Sequence, residues 1–391
     1  MTQARSEERI RRWRLLLGAA ADEPLGTGAV PGLGREDRAV DAALSGLYDG
    51  DGSRRAAGLG RSAPRVARWL GDIRGYFPSN VVQVLQRDAV DRLGLGELLL
   101  EPELLSSVQP DVHLVATLVA LGRVLPERTR ETARTVVRTV VDEIEHRLAD
   151  RTRSAVTGAL DRAARTHRPR PGDIDWNRTV AANLRHYQPE HRTVVPERLV
   201  GHARRSRVVA KDVVVAVDQS ASMAESVVHA AVLTAVLAGI RTLHTSLVLF
   251  DTAVVDLTDR LEDPVEVLFG CQLGGGTDIE AAVGYCATLV SRPADTVLFL
   301  VTDLYEGGDA GTLLRRLARL RADGVTVVVL LALSDAGAPA HDHELATEVG
   351  GLGIPAFACT PDAFPDLLAV AIEGGDVARW AAAVQLSARG R

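Results

Sequence analysis

The stretch DVVVAVDQSASMAESVVHAAVLTAVLAGI, residues 212–240, decides the fold. It opens with a continuous β-branched run ending on an aspartate, turns through a short polar segment, and continues as a long apolar helix. A strand that is apolar on both faces is buried on both, as in a parallel sheet covered by helices. The rhythm then repeats. Further strands are expected at SLVLFD (246–251), AVVDLT (253–258), TVLFLVTD (296–303), VTVVVLLAL (325–333) and IPAFACT (354–360), with helices near 224–243, 279–291, 311–322, 341–349 and 363–373. The second and third runs meet tightly at Asp251–Thr252, which predicts an antiparallel third strand at an edge. Residues 212–375 are therefore expected to form an α/β doubly wound, mostly parallel sheet, followed by a tail or helix at 376–391.

Upstream the texture is different. Residues 1–168 are expected to form an all-α domain. VHLVATLVALGRV (112–124) is apolar almost all round, as a buried core helix is. From Glu131 to Ala164, Val136, Val137, Val140, Val141, Ile144 and Leu148 recur three and four apart, which predicts an amphipathic helix or a helix pair. Glycine-rich interruptions at Gly26–Gly34 and Tyr48–Gly60 read as loops. Residues 169–211 read as a structured connector that is helical only over Arg178–His186, and in it Trp176, Leu184 and Tyr187 call for burial.

Composition narrows the classes further. The chain has 391 residues, 46% hydrophobic and 25% charged, enough for two domains with real cores. No uninterrupted apolar run reaches about 18 residues, so no membrane span is expected. The start, MTQARSEERIRRWRLLLGAAADEP, has too short an apolar core for a signal peptide and reads as a short amphipathic helix. Cys271, Cys286 and Cys359 match no zinc spacing and read as buried small hydrophobes in a reducing, cytoplasmic setting. Up to Lys211 there are 35 basic against 27 acidic residues, and after it 10 against 24, within a net charge of −6. The basic residues are scattered, a pattern that favours docking or a solvated face over a nucleic-acid surface.

The chemistry is concentrated at the carboxyl ends of the strands, where open α/β sheets bind ligands. The first strand delivers Asp218-Gln219-Ser220-Ala221-Ser222, the fourth ends in Val301-Thr302-Asp303, and the loop Leu273-Gly274-Gly275-Gly276-Thr277-Asp278 lies between them. Asp218, Ser220, Ser222, Thr277 and Asp303 supply two carboxylates and three hydroxyls without sulfur or imidazole. Such hard oxygen donors suit Mg²⁺ and allow Mn²⁺ or Ca²⁺. Two carboxylates leave a coordination position open, which an acidic side chain from a partner protein can fill. Asp278 reads as a helix cap, Asp251 as a turn-former, and His341-Asp342-His343-Glu344 as a helix start. Gln219 and Met223 fall on the rim, within reach of a partner. Ser220 lacks a nucleophile elbow and a base, and Gly274-Gly275-Gly276-Thr277 lacks the lysine of a phosphate loop.

Asp218-x-Ser220-x-Ser222 with Thr277 and Asp303 resembles the metal-ion-dependent adhesion site of von Willebrand factor A (VWA) domains. The resemblance implies direct coordination by Ser220, Ser222 and Thr277, with Asp218 and Asp303 acting directly or through water. A helical amino-terminal half, the connector IDWNRTVAANLRHYQPEHRTVVPERLVG, VDQSASM and FDTAVVDLTD together resemble bacterial VWA proteins found alongside MoxR-type AAA+ ATPases, including the CoxE-like group. That resemblance implies a non-enzymatic adaptor of such an ATPase, or of its substrate, in complex remodelling or metal-centre maturation. Two other readings compete. A Ro-like helical-repeat protein with a VWA domain would bind RNA, but no aromatic residues are interleaved with the arginines. A metal-dependent hydrolase would need more converging carboxylates or histidines than these segments supply.

Overall fold

The computed structural model describes residues 10, 13–15, 34–48, 63–93, 99, 105, 108–122, 124–163, 165–166, 174–202, 211–271, 275–335 and 340–389. Most of the expected amino-terminal helix and both glycine-rich interruptions lie largely outside these residues, as do Leu273 and Gly274. By internal contacts the chain divides into two compact units, residues 1–140 and 141–391.

The first unit is helical: α1 (Arg35–Tyr48), α2 (Ala63–Tyr76), α3 (Ser79–Leu93), α4 (Val112–Ala120) and the first part of α5 (Glu127–Ala163). The buried Trp69 indole of α2 donates to the Ala43 carbonyl of α1 at 2.9 Å. Asp111 caps α4 by accepting from the Leu114 N–H at 2.7 Å. Leu114, Val115, Ala116, Leu118 and Val119 are buried, as expected for an all-apolar helix, but α4 ends at Ala120, and Val124 is exposed. The stretch expected as one helix or two is a single helix of 37 residues.

Residues 174–202 fold around a polar clamp. Thr179 in the short helix α6 (Trp176–Ala182) and Asn183 at its carboxyl cap are buried. Thr179 exchanges hydrogen bonds with both backbone groups of Val200. Asn183 accepts from the Glu197 and Arg198 N–H groups and donates to the Thr179 and Arg198 carbonyls. With that side of the helix given to the clamp, Trp176, Leu184 and Tyr187 are exposed, which overturns the expectation that they are buried.

The remainder of the second unit is built on the six-stranded sheet. Its elements are β1 (Lys211–Asp218), α7 (Ala224–Ala238), β2 (Leu243–Phe250), β3 (Val254–Asp256), α8 (Pro264–Gly270), α9 (Ile279–Leu289), β4 (Thr296–Val301), α10 (Ala310–Ala322), β5 (Thr326–Leu333), α11 (His343–Gly351), β6 (Ala356–Cys359), α12 (Phe364–Ile372) and α13 (Val377–Arg389). The strand order is β6-β5-β4-β1-β2-β3. All neighbours run parallel except β2 and β3, and β3 is the antiparallel edge strand expected from the Asp251–Thr252 turn. Helix α8 was not anticipated; Pro264 at its start and the Asp263 cap specify it locally.

Helix α7 is buried along most of its length. The window Ala221–Ala238, which includes Glu225 and His229, is long and apolar enough by length and composition to cross a membrane, and 67% of it is buried inside the fold, as in a core helix. The later part of α5 meets this unit through Arg147–Asp362 (3.3 Å) and Arg151–Asp366 (2.7 Å). All three cysteines are free and buried, and burial pushes their thiols up to about 12.

His229 lies in α7 at 2% exposure, with no hydrogen-bond partner for Nδ1. Burial first, and the Arg147 charge second, hold it down at about 4 from an ordinary 6.5, while Glu225 and Asp362 pull the other way. The unfolded chain takes up this proton near pH 6.5 and the folded chain only near 4. Acidification across that window therefore drains stability, by about 3 kcal/mol at its end. A His229→Leu variant is expected to lose less stability between pH 6.5 and 4 than the parent in urea unfolding; equal losses would assign the acid sensitivity elsewhere.

Candidate metal centre at the carboxyl ends of the strands

The chain lays down β1, β2 and β3 to one side, then returns to place β4 against the other side of β1. Strand order thus reverses at the β1–β4 boundary, and side chains beyond the carboxyl ends of these two strands face a shared crevice. Asp218 is the last residue of β1, and Asp303 lies two residues beyond β4.

Asp218 is fully buried and Asp303 is 3% exposed. The Ser220 N–H donates to Asp218 Oδ1 at 2.8 Å, and the Thr302 hydroxyl donates to Oδ2 at 2.9 Å. Ser220 and Ser222 share a hydroxyl–hydroxyl hydrogen bond at 3.1 Å, and Ser222 Oγ donates to Asp303 Oδ2 at 2.6 Å. Four of the five expected residues therefore form one hydrogen-bonded set. Thr277 stands outside that set: its carbonyl accepts from the Gly307 N–H at 2.8 Å, which ties its loop to the loop that follows Asp303. Burial pushes the Asp218 carboxyl up from its ordinary value. The hydrogen bonds from Ser220 and Thr302 pull it back, and the Asp303 charge pushes in the same direction as burial.

The loop after Asp303 is held from several sides. Leu304 is buried at φ 64°, a left-handed conformation uncommon outside glycine. Its N–H donates to Thr302 Oγ1 at 3.1 Å. Glu306 accepts from the Gly308 N–H (2.6 Å) and from the Glu280 N–H at the start of α9 (3.1 Å). Burial pushes the Glu306 carboxyl up, these N–H groups pull it down, and the Asp278 charge raises it. A Cβ at Gly307 would sit 2.7 Å from the Thr277 carbonyl oxygen, so only glycine allows the two loops to approach this closely.

The neighbouring residues take simpler roles. Asp278 caps α9 by accepting from the Ala281 N–H at 2.9 Å, and its own N–H donates to the Asp251 carbonyl. Asp251 accepts from the Ala253 N–H at 2.7 Å within the strand-to-strand turn. Asp342 caps α11, and its N–H donates to the Asp303 carbonyl. Gln219 and Met223 are buried, which removes both from the rim where a partner was expected to reach them: Gln219 continues the β1 ladder by donating its N–H to the Phe250 carbonyl, and Met223 is fully enclosed. Thr302, Leu304, Glu306 and Gly307 were not singled out from the sequence. The Gly307–Gly308 pair was the available signal, since paired glycines after a strand mark a close backbone approach.

This donor set fits a hard divalent cation. The Asp303 charge adds to the cost of ionising buried Asp218, and among the described residues neither carboxylate forms an ion pair with lysine or arginine. No group of three or more His, Cys, Asp or Glu side chains converges among the described residues, so this is not a closed carboxylate cage. Hydroxyl donors beside two carboxylates suit Mg²⁺, which keeps waters and open positions.

Two outcomes follow from this geometry. Ionised Asp218 is penalised in the metal-free fold, so an Asp218→Asn variant is expected to melt no lower than wild type in EDTA. Added Mn²⁺ is expected to raise the melting temperature of wild type but not of the variant; equal metal stabilisation would remove Asp218 from the site. Gly307→Ala must push the Thr277 loop away, at a cost of about 1–3 kcal/mol. It is expected to lower both thermal stability and Mn²⁺ affinity, and an unchanged variant would show that the two loops are not coupled.

Three comparisons with known proteins bear on this fold and site. The family described as VWA domain containing CoxE-like protein matches residues 148–368. The uncharacterized protein YehP of Escherichia coli K12 is 36% identical over 366 residues, covering 92% of this chain and 96% of YehP. Among solved structures, an aerotolerance-related membrane protein of Bacteroides fragilis is 17% identical, with a TM-score of 0.33, over 42% of this chain and 99% of its own. The Ro (RSR) protein of Deinococcus radiodurans is 15% identical, with a TM-score of 0.30, over 89% of this chain and 78% of its own. The family match spans more than half the chain and YehP aligns along nearly all of it: the chain belongs to the CoxE-like family of VWA-domain proteins.

Proposed function

We propose that the protein holds one divalent cation, Mg²⁺ or in its place Mn²⁺ or Ca²⁺, and uses it to bind an acidic side chain of a partner protein. Ser220, Ser222 and Thr277 would coordinate the ion directly, with Asp218 and Asp303 acting directly or through water. The cation supplies a fixed positive charge with a free coordination position. The chain's own residues orient it and neutralise only part of its charge. The observation carrying this reading is the pair of buried carboxylates linked through Ser222 and Ser220, with no basic side chain paired to either among the described residues. A buried negative charge of this kind is costly unless something cationic compensates it.

Membership of the CoxE-like family supports a MoxR-type AAA+ ATPase, or the substrate of such a motor, as the partner. In this reading the protein is a cytoplasmic adaptor in complex remodelling or metal-centre maturation. The site has a binding role and no catalytic one: the three hydroxyls serve as ligands.

Affinity capture from native lysate in Mg²⁺, repeated in EDTA and with Asp218→Ala, tests this directly. Recovery of an AAA+ ATPase that is lost under both treatments is the expected result. Capture of the same protein regardless of metal and of Asp218 would overturn the adhesion mechanism.

A further inference from the structure

The surface around the candidate metal centre carries a chemical signature of its own. The segments at the carboxyl ends of the strands, residues 218–222, 251–252, 275–280, 303–309 and 341–344, hold nine carboxylates and neither lysine nor arginine; two of the nine, Glu280 and Asp309, are ion-paired with Arg316 and Arg315 of α10, which leaves seven. One divalent ion offsets only part of that charge. A partner that brings a further carboxylate to the ion is repelled by this rim unless basic groups accompany it.

Within the same rim, among the described residues, stands one large exposed hydrophobic side chain, Tyr305, at 51% exposure. Gly307 and Gly308 follow it closely in the same loop and carry no side chain that could cover the ring. Its placement is fixed from beneath. Leu304 is anchored in the core at φ 64°, the Tyr305 N–H donates to Asp303 Oδ1 at 3.4 Å, and Glu306 ties the following turn to α9. An exposed aromatic on a rigid backbone loses little entropy on contact and is the kind of residue that dominates interfaces. Its face attracts cations.

We infer that Tyr305 is the second contact of the metal-dependent interface, and that the partner segment it receives is an Asp or Glu flanked by Arg or Lys. The partner's carboxylate approaches the ion while its guanidinium or ammonium lies on the Tyr305 ring, facing the acidic rim. This rests on the metal-binding reading above, which it extends to the partner's chemistry.

The test uses the full chain and the protein captured in Mg²⁺. Tyr305→Ala is expected to bind Mn²⁺ as wild type does, by titration, yet to weaken capture roughly five- to thirtyfold, with Tyr305→Phe restoring it. A p-benzoylphenylalanine substituted at Tyr305 is expected to crosslink, in Mg²⁺ only, to a partner peptide in which an acidic residue adjoins a basic one. Capture by Tyr305→Ala equal to wild type, with Asp218→Ala still inactive, would overturn the inference and leave the metal-binding reading standing. A crosslinked peptide without a basic residue would also overturn it. Metal-independent capture by every variant would overturn both.

Discussion

The negative charge that Asp218 and Asp303 place beneath the rim of the sheet is the constraint on which the rest of the site depends. Both carboxylates are withdrawn from water, and each sits in the field of the other. The fold tolerates them by supplying neutral donors: the Ser220 N–H, the Thr302 hydroxyl and the Ser222 hydroxyl. Hydrogen bonds of this kind stabilise a carboxylate only in part. The raised position of Asp218 shows that burial outweighs them. The site therefore carries an unfavourable energy that the proposed cation would relieve, and in that reading metal affinity and metal-free stability would be set against each other at Asp218.

Strand order makes this juxtaposition possible, and the loops make it rigid. Because β4 returns to the side of β1 away from β2, the aspartates from two separate segments end side by side. The loops then hold one another. Gly307 reaches the Thr277 carbonyl, Asp278 reaches Asp251, and Asp342 reaches Asp303, each through a backbone N–H. Four segments far apart in sequence are joined by bonds that depend on backbone position and hardly on side-chain identity. Glycine at 307 is the exception, since the approach there leaves no room for a Cβ.

Much of this was legible in the sequence because its signals are local. Continuous β-branched runs separated by helical stretches specify a buried parallel sheet, and all six strands fall where the runs lie. The Asp251–Thr252 turn disclosed the antiparallel edge. Asp278 and Asp342 read as caps and are caps. The rest depends on distant partners. Thr302 matters because Asp218, 84 residues away, accepts its hydroxyl proton. Gln219 and Met223 read as rim residues, yet Gln219 is held in the ladder to Phe250 and Met223, at the entry to α7, is fully buried. Trp176, Leu184 and Tyr187 misled in the opposite direction: the clamp built by Thr179 and Asn183 claims part of α6 for polar contacts, and apolar character alone carries no record of that.

The most direct measurement of the central claim is an anomalous difference map from crystals of the full chain grown with Mn²⁺. One peak within coordination distance of the Ser220, Ser222 and Thr277 hydroxyls, with Asp218 and Asp303 bound to it directly or through water, is the predicted result. No peak at that rim, or one confined to other residues such as His341 and His343, would contradict the account.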